Sequence, residues 1–351
     1  MKTWDVVITG GGIIGLSLAR ALRKHGATVL VVERSEPGRE ASHAAAGMLA
    51  HCDLTLPEVL RPLAAASAAL YPEFVHEIED ESGMRVDLRQ QGAIAYFPEP
   101  VASLLPCMRA LQAEEIPRLE PKLAYAGEPA YFLKEASVDP RALVAASVKA
   151  AKHREIDLAT GSPAHEVEVE GERAVAVKTA KTRYAAAAVV NCCGAWSGQV
   201  APLAFPTRPV KGQMLCVVPP KHGLVEHVIR APEVYLVPRS DGRILIGSTL
   251  EEAGFDKQVV PATIQRLHQA AANLVPELGE AKMLESWAGL RPGTPDQLPI
   301  LGATAIPNYF VAAGHYRDGI LLAPITAQLM SQVVRGGTSD LDLTPFSAAR
   351  F

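Results

Sequence analysis

Long apolar runs are missing from this chain. No stretch reaches the roughly 18 consecutive apolar residues of a membrane-spanning helix, so no membrane partner is expected. The apolar segment that opens the chain is broken by glycines and has no signal-peptide cleavage pattern behind it. Cysteine is scarce: five in 351 residues, an odd number without Cys-x-x-Cys spacing. Cys192 and Cys193 stand side by side in an apolar run, where buried inert thiols are a better reading than a strained bridge. A reducing cytoplasm is the expected compartment. The ten histidines are scattered, with no His-x-x-x-His, so no metal site is expected. An excess of positive charge is also lacking. Thirty-four Lys and Arg against 38 Asp and Glu leave a formal charge of -4, which speaks against a nucleic-acid partner. Repeats are absent, and only alanine-rich patches depart from ordinary complexity.

What is present is an ordinary globular composition, 48% apolar and 21% charged, in a length that suggests about two domains and room for an enclosed ligand. Asp5–Thr9 reads as a buried strand because it is short and β-branched. It runs into Gly10-Gly11-Gly12-Ile13-Ile14-Gly15, with glycines at 10, 12 and 15. Leu16–His25 then has helical periodicity and stops at Gly26. A second strand, Thr28–Val32, leads straight to Glu33. In this order the parts form a dinucleotide site. Gly10 permits the tight turn, Gly12 lets backbone approach a pyrophosphate, and Gly15 allows close helix–strand packing. The helix N-terminus favours the anion, and Glu33 is placed for an adenosine ribose. The motif does not choose between NAD and FAD. Arg39–Met48 is rich in small residues and could lie along a flat cofactor, although its composition alone fits an Ala-rich helix.

Further along, Asp139-Pro140 has the form of an N-cap with proline at the first helical position, opening a helix to about His153. Ala164–Glu170, Ala174–Thr179 and Tyr184–Asn191 read as an antiparallel meander, turned first at Glu170-Gly171. Gly194 follows the third strand, where backbone could approach a ligand. From about Pro206 the pattern changes to alternating strands, Gln213–Val218, Val234–Val237 and Arg243–Ile246, with a helix near Thr263–Leu274. That change marks a second domain with an antiparallel sheet. Tyr309–Ala313 reads as a strand returning to the first domain, followed by a helix from Leu321 to Val334.

Several distant motifs resemble one family. Gly10–Gly15, Ala44–Met48, Pro209-Val-Lys-Gly212, Tyr235-Leu-Val-Pro-Arg239, Trp287-Ala-Gly-Leu-Arg-Pro-Gly293 and Gly314–Pro324 together are similar to the D-amino-acid-oxidase superfamily. Within it they most resemble glycine oxidases of the thiamine-biosynthesis type. The resemblance runs along essentially the whole chain. It implies an α/β fold with an FAD-binding, Rossmann-like domain of the glutathione-reductase type. An α+β substrate domain with a large antiparallel sheet completes it. The expected division is 1–80, 140–205 and 290–351 for the discontinuous FAD domain, and 81–139 with 206–289 for the substrate domain. FAD is expected to be non-covalent, since no cysteine follows Cys216 where related enzymes tether their flavin.

By the same resemblance Ile13 and Ile14 face the pyrophosphate, and Glu33 and Arg34 the adenosine end. Ala41, Ser42, Ala46, Gly47 and Met48 line the flavin, Ala164 offers backbone to adenine, and Gly194 approaches the cofactor. His315, Tyr316, Arg317, Asp318, Gly319, Ile320 and Leu321 wrap the ring. Arg291, in a Pro-Gly sequence that suits a tight turn, would bind the substrate carboxylate; a planar guanidinium matches a carboxylate through two parallel bonds. Tyr235 and Arg317 would complete the pocket.

The implied reaction is hydride transfer from the Cα–H of glycine or another small amino acid to flavin N5. Hydrolysis of the imine and reoxidation by molecular oxygen would follow, giving glyoxylate, ammonia and hydrogen peroxide. No acid or base is assigned; Asp296, His315 and Asp318 read as solvated loop residues. A homotetramer and a role in making the thiazole of thiamine are further implications. Two departures bear on specificity: Leu250 replaces an expected methionine, and Asp318 an expected asparagine. Open alternatives are a broader sarcosine or D-amino-acid oxidase, a quinone-linked D-amino-acid dehydrogenase, and a flavin-binding subunit without catalysis.

Overall fold

Thr3–Thr9 forms the central strand of an eight-stranded sheet, and its last four residues are buried. It pairs in parallel with Val29–Glu33 on one side and Arg183–Asn191 on the other, Ile8 lying opposite Val31 and Val190. Asp157–Thr160 and Tyr309–Ala313 extend the parallel set outward. Burial on both faces explains why these strands are runs of Val, Ile and Ala rather than alternating patterns. Ala164–Glu170 and Arg173–Thr179 form an antiparallel meander whose third member, Arg183–Asn191, runs on into the parallel core. The computed structural model describes residues 2–124 and 127–351.

Helices Ile13–Lys24, Pro140–His153 and Gly319–Val334 share one core with this sheet. The cap expected at Asp139 is present: its carboxylate accepts from the backbone N–H of Arg141 at 2.9 Å and of Ala142 at 3.3 Å. A fourth helix, Arg61–Ser82, has no counterpart in the sequence reading. Its interior Pro72 interrupts the helical signal, and tertiary contact restores the helix. Tyr71 donates to the carbonyl of Ile320, and Ser67 to that of Leu321, each at 2.6 Å. Those bonds fix the start of the last helix.

The second sheet also has eight strands. Its order is Lys282–Gly293, Arg208–Val218, Ile244–Gly247, Tyr235–Pro238, Val228–Arg230, Ala93–Tyr96, Ala130–Leu133 and Met108–Ala110. All neighbours are antiparallel except Val228–Arg230 with Ala93–Tyr96, which run parallel. Helix Pro261–Leu274 covers one face over a core of Leu, Ile and Val. Lys282–Gly293 is twelve residues long and spans the expected division at 289/290.

This strand corrects the reading of Arg291. The residue does not precede a turn; it sits within the strand, opposite Val210. Pro292 is accommodated because Lys282–Gly293 is the edge strand, where a missing N–H costs little.

A second correction concerns cysteine. Cys52 and Cys107 are joined by a disulfide, which a reducing compartment would not suggest. Cys192 and Cys193 are free, as the inert-thiol reading expects, and Cys216 is free as well.

Candidate active site

The first turn of helix Ile13–Lys24 opens the site. Its N-cap, Gly12, has no side chain to satisfy the backbone N–H groups behind it. A Cβ at Gly12 would come within 3.3 Å of the Ser42 hydroxyl, and Gly12 itself lines a cavity. Gly10 and Gly15 have packing roles. A Cβ on Gly15 would lie 2.0 Å from the carbonyl of Gly10, and one on Gly10 would lie 2.4 Å from the carbonyl of Cys192. Gly10 also holds φ +99°, which other residues avoid. Ile13 N–H donates to Ser42 Oγ at 3.0 Å, and Gly11 N–H to Glu33 at 2.8 Å. Helix terminus, second strand and the Ser42 segment are thereby tied into one wall.

That wall belongs to a continuous cavity of about 780 Å³ running between the two sheets. Glu33, Arg34 and Ala164 lie along its rim with Gly10, Gly12, Ile13 and Ile14. Ala41, Ser42, Ala46, Gly47, Met48 and Gly194 follow, then His315, Tyr316, Arg317, Asp318, Gly319 and Ile320. Tyr235, Leu250 and Arg291 line it too. Two expected residues do not. Gly15 stands behind the wall, and Leu321 points into the helix core. Arg34 stacks over the Trp196 ring, 3.6 Å from its centre.

The Ala-rich segment is helical only at Ala41–Ala44 and then runs extended. The edge strand Lys282–Gly293 clamps it. Trp287 Nε1–H donates to the carbonyl of Ala44 at 3.0 Å, and a Cβ on Gly289 would strike the Ala44 methyl at 2.3 Å. Arg239, almost fully buried, donates to the carbonyl of Ala46 at 2.5 Å. The motifs around Trp287 and Arg239 therefore act together, holding Ala44–Met48 against the cavity.

Arg291 is held by neutral partners. Its Nη1 donates to the carbonyl of Thr249 at 3.2 Å and its Nη2 to Ser248 Oγ at 2.7 Å. No carboxylate among the described residues pairs with it. The guanidinium occupies the space that a side chain at Gly212 would fill, since a Cβ there would lie 2.3 Å from Nη1. The Tyr235 hydroxyl is nearby, donating to Met214 Sδ at 3.5 Å. Leu250 is 58% exposed at the cavity mouth.

Two cavity residues, Asp53 and Arg230, had no signal in the sequence. Arg230 and Arg317 both reach Asp53 Oδ2, at 3.4 and 3.5 Å, and Arg230 also pairs with Glu135. Arg317 Nη2 donates to Thr55 Oγ1 at 2.6 Å. Unlike Arg291, these two cations are already compensated.

The solvated-loop reading holds for Asp296, which forms an ion pair with Arg350 at 2.7 Å. It fails for His315 and Asp318. His315 is 3% exposed, bonds Thr326 Oγ1 at 3.1 Å, and is pushed by burial down to about 3, so its ring is neutral at working pH. Asp318 is half-buried at the start of the last helix, with no hydrogen bond from its side chain to cap that helix. Burial pushes its carboxyl up to about 7; the Arg317 guanidinium opposes this and Asp53 adds to it. Cys192 and Cys193 face the cavity but stay thiols, Cys193 being pushed by burial up to about 12.

The donor set fits FAD: an uncapped helix terminus for the anion, Glu33 at the far end, and a long cleft of small residues between them. Comparison with known proteins agrees. Residues 5–333 match the family described as FAD dependent oxidoreductase. The chain is 32% identical over its whole length to the hydrogen cyanide synthase subunit HcnC of Pseudomonas aeruginosa, covering 97% of that protein. It is 36% identical to the bifunctional protein ThiO/ThiG of Trichormus variabilis, with 99% of the chain matched. It spans only about half, 55%, of that longer relative. The crystal structure of glycine oxidase from Geobacillus kaustophilus superposes with a TM-score of 0.93 at 32% identity, all of both chains being covered.

Proposed function

Because the chain belongs to the family of FAD-dependent oxidoreductases, we propose that it is an amino-acid oxidase acting on glycine, with Arg291 as the carboxylate anchor. The observation that carries this reading is the uncompensated guanidinium. A cation facing a cavity with, among the described residues, only a carbonyl and a hydroxyl for partners favours an anionic ligand. The side of the guanidinium toward Gly212 is walled off by backbone, which restricts the approach of the carboxylate to the cavity side. Arg230 and Arg317 compete poorly for it, since Asp53 and Glu135 already neutralise them.

FAD, when bound, supplies the acceptor for the hydride leaving the substrate Cα. The chain's own contribution is to bind and orient. Arg291 fixes the carboxylate, Tyr235 bounds the pocket, and the Ala44–Met48 segment is held still by Trp287 and Arg239. His315, neutral and buried, shapes the wall without moving protons. The products are glyoxylate, ammonia and hydrogen peroxide, and the similarity to ThiO/ThiG supports a role in making the thiazole of thiamine.

Turnover on glycine, sarcosine and D-alanine, with peroxide, glyoxylate and cyanide assayed together, tests the substrate. Cyanide as the product would favour the relationship with HcnC instead. For the anchor, Arg291→Ala is expected to lower kcat/KM by about 10²-fold or more, mostly through KM, while bound FAD absorbance stays intact. Unchanged kinetics would remove Arg291 from this role.

A further inference from the structure

The Cys52–Cys107 disulfide joins residues 55 positions apart. Cys52 lies just after the strand Met48–Leu49, which leaves the cavity wall, and Cys107 just before Met108–Ala110, the far edge of the second sheet. A ring nitrogen of His51 and both sulfurs all lie within 4.8 Å of one another. Cys52 is fully buried and Cys107 half-buried, so Cys107 is the more accessible residue of the pair.

The bond is coupled directly to the substrate end of the cavity. Cys52 N–H donates to Glu135 at 2.8 Å, and the other oxygen of Glu135 holds Arg230. The next residue, Asp53, holds both Arg230 and Arg317, and Thr55 accepts from Arg317. Asp53, Arg230 and Arg317 line the same cavity as Arg291. Breaking the disulfide removes a covalent tether from the segment that carries Asp53, the shared counter-charge of Arg230 and Arg317.

We propose that Cys52 and Cys107 form a peroxide-responsive thiol pair, oxidised to the disulfide by hydrogen peroxide, and that this oxidation tightens amino-acid binding. The source of the peroxide rests on the oxidase reading above. Cys107, the less buried residue of the pair, passes its thiol proton to the adjacent His51 ring, and its thiolate attacks one peroxide oxygen. The O–O bond breaks, and the departing hydroxide takes up a proton as water. Cys52 sulfur then attacks the Cys107 sulfenic acid; the S–S bond forms, the S–O bond breaks, and a second water leaves. Two thiols are oxidised by two electrons, and one peroxide is reduced to two waters.

The test uses the full-length, FAD-loaded protein, reduced with dithiothreitol and desalted without air. Thiol titration in denaturant should find five thiols, falling to three after peroxide, with the Cys52–Cys107 link recovered by peptide mapping. The KM for glycine should be about fivefold lower in the oxidised form with kcat little changed. The affinity for glycolate, read from the flavin spectrum without turnover, should shift the same way. Cys107→Ser should hold both quantities at the reduced values and abolish the response to peroxide. If glycine is not oxidised but glycolate affinity still follows the redox state, the thiol pair stands and the oxidase reading falls. Loss of Cys192, Cys193 or Cys216 in place of the pair would overturn the proposal, as would a disulfide that forms without changing glycolate affinity.

Discussion

Gly212 sets the position of Arg291 by having no side chain. Its backbone is not in the left-handed region, so alanine is conformationally acceptable there and the effect of Gly212→Ala is steric. The new Cβ would stand 2.3 Å from Nη1, 2.5 Å from Nη2 and 2.6 Å from Cζ of Arg291. Ordinary contact begins at 3.4 Å, so the guanidinium must retreat by about 1 Å. It can do so only into the cavity, giving up the 2.7 Å bond to Ser248 or the 3.2 Å bond to Thr249. Misplacement of a binding group by about 1 Å costs on the order of 10²-fold in rate, and kcat/KM for glycine should fall by about that much. The cost to folding should lie near the low end of the 1–3 kcal/mol typical of overpacking, because the displaced atoms are the tip of a side chain beside open space. Steady-state kinetics, with flavin absorbance as a control for cofactor content, make the measurement. In an Arg291→Ala background the same alanine should have almost no further effect. Kinetics within about twofold of the parent, or equal losses in both backgrounds, would refute the argument.

Two predictions concern pH. Asp318 has an ordinary carboxyl value of 3.8 but one of about 7 in the fold, so the folded chain holds an extra proton between those values. Stability therefore falls as pH rises through that window, and Asp318→Asn should raise the melting temperature at pH 8 but hardly at pH 4. Equal shifts at both pH values would dismiss the buried-carboxyl account. Glu81 is the opposite case. Burial resists its ionisation, but hydrogen bonds from Arg20 and Arg154 hold it down to about 2. Its contribution is complete above about pH 4.5 and is lost as pH falls through 2. Glu81→Gln should cost about 3 kcal/mol in denaturant unfolding at pH 7 and little at pH 2. An undiminished cost at pH 2 would contradict the charge-based origin.

Legibility in the sequence followed locality. Strand Tyr309–Ala313 and helix Pro140–His153 have the boundaries that their composition and cap imply, because those signals lie within the elements. The meander agrees within one residue at each end for the same reason. Arg61–Ser82 was hidden because the helix depends on neighbours: Pro72 weakens its own signal, and Tyr71 and Ser67 gain partners only from Ile320 and Leu321, some 250 positions away. The motif around Arg291 picked out a residue that lines the cavity, but with the wrong backbone. Pro-Gly reads as a turn from sequence, and only the position of the strand at a sheet edge makes it extended. Asp53 and Arg230 carried no motif at all.

The sequence by itself determined the nucleotide-binding turn, since the spacing of Gly10, Gly12 and Gly15 between a strand and a helix encodes backbone geometry within a few residues. It also supplied, through resemblance, many of the residues that border the cavity. Tertiary structure alone decided the charge state of that cavity. Whether an arginine there awaits a ligand or is already neutralised depends on which carboxylates arrive from distant segments. Asp53 and Glu135 reach Arg230, and Asp53 reaches Arg317, but none reaches Arg291 among the described residues. The same long-range folding brought Cys107 to Cys52, a pairing that no spacing in the chain could announce.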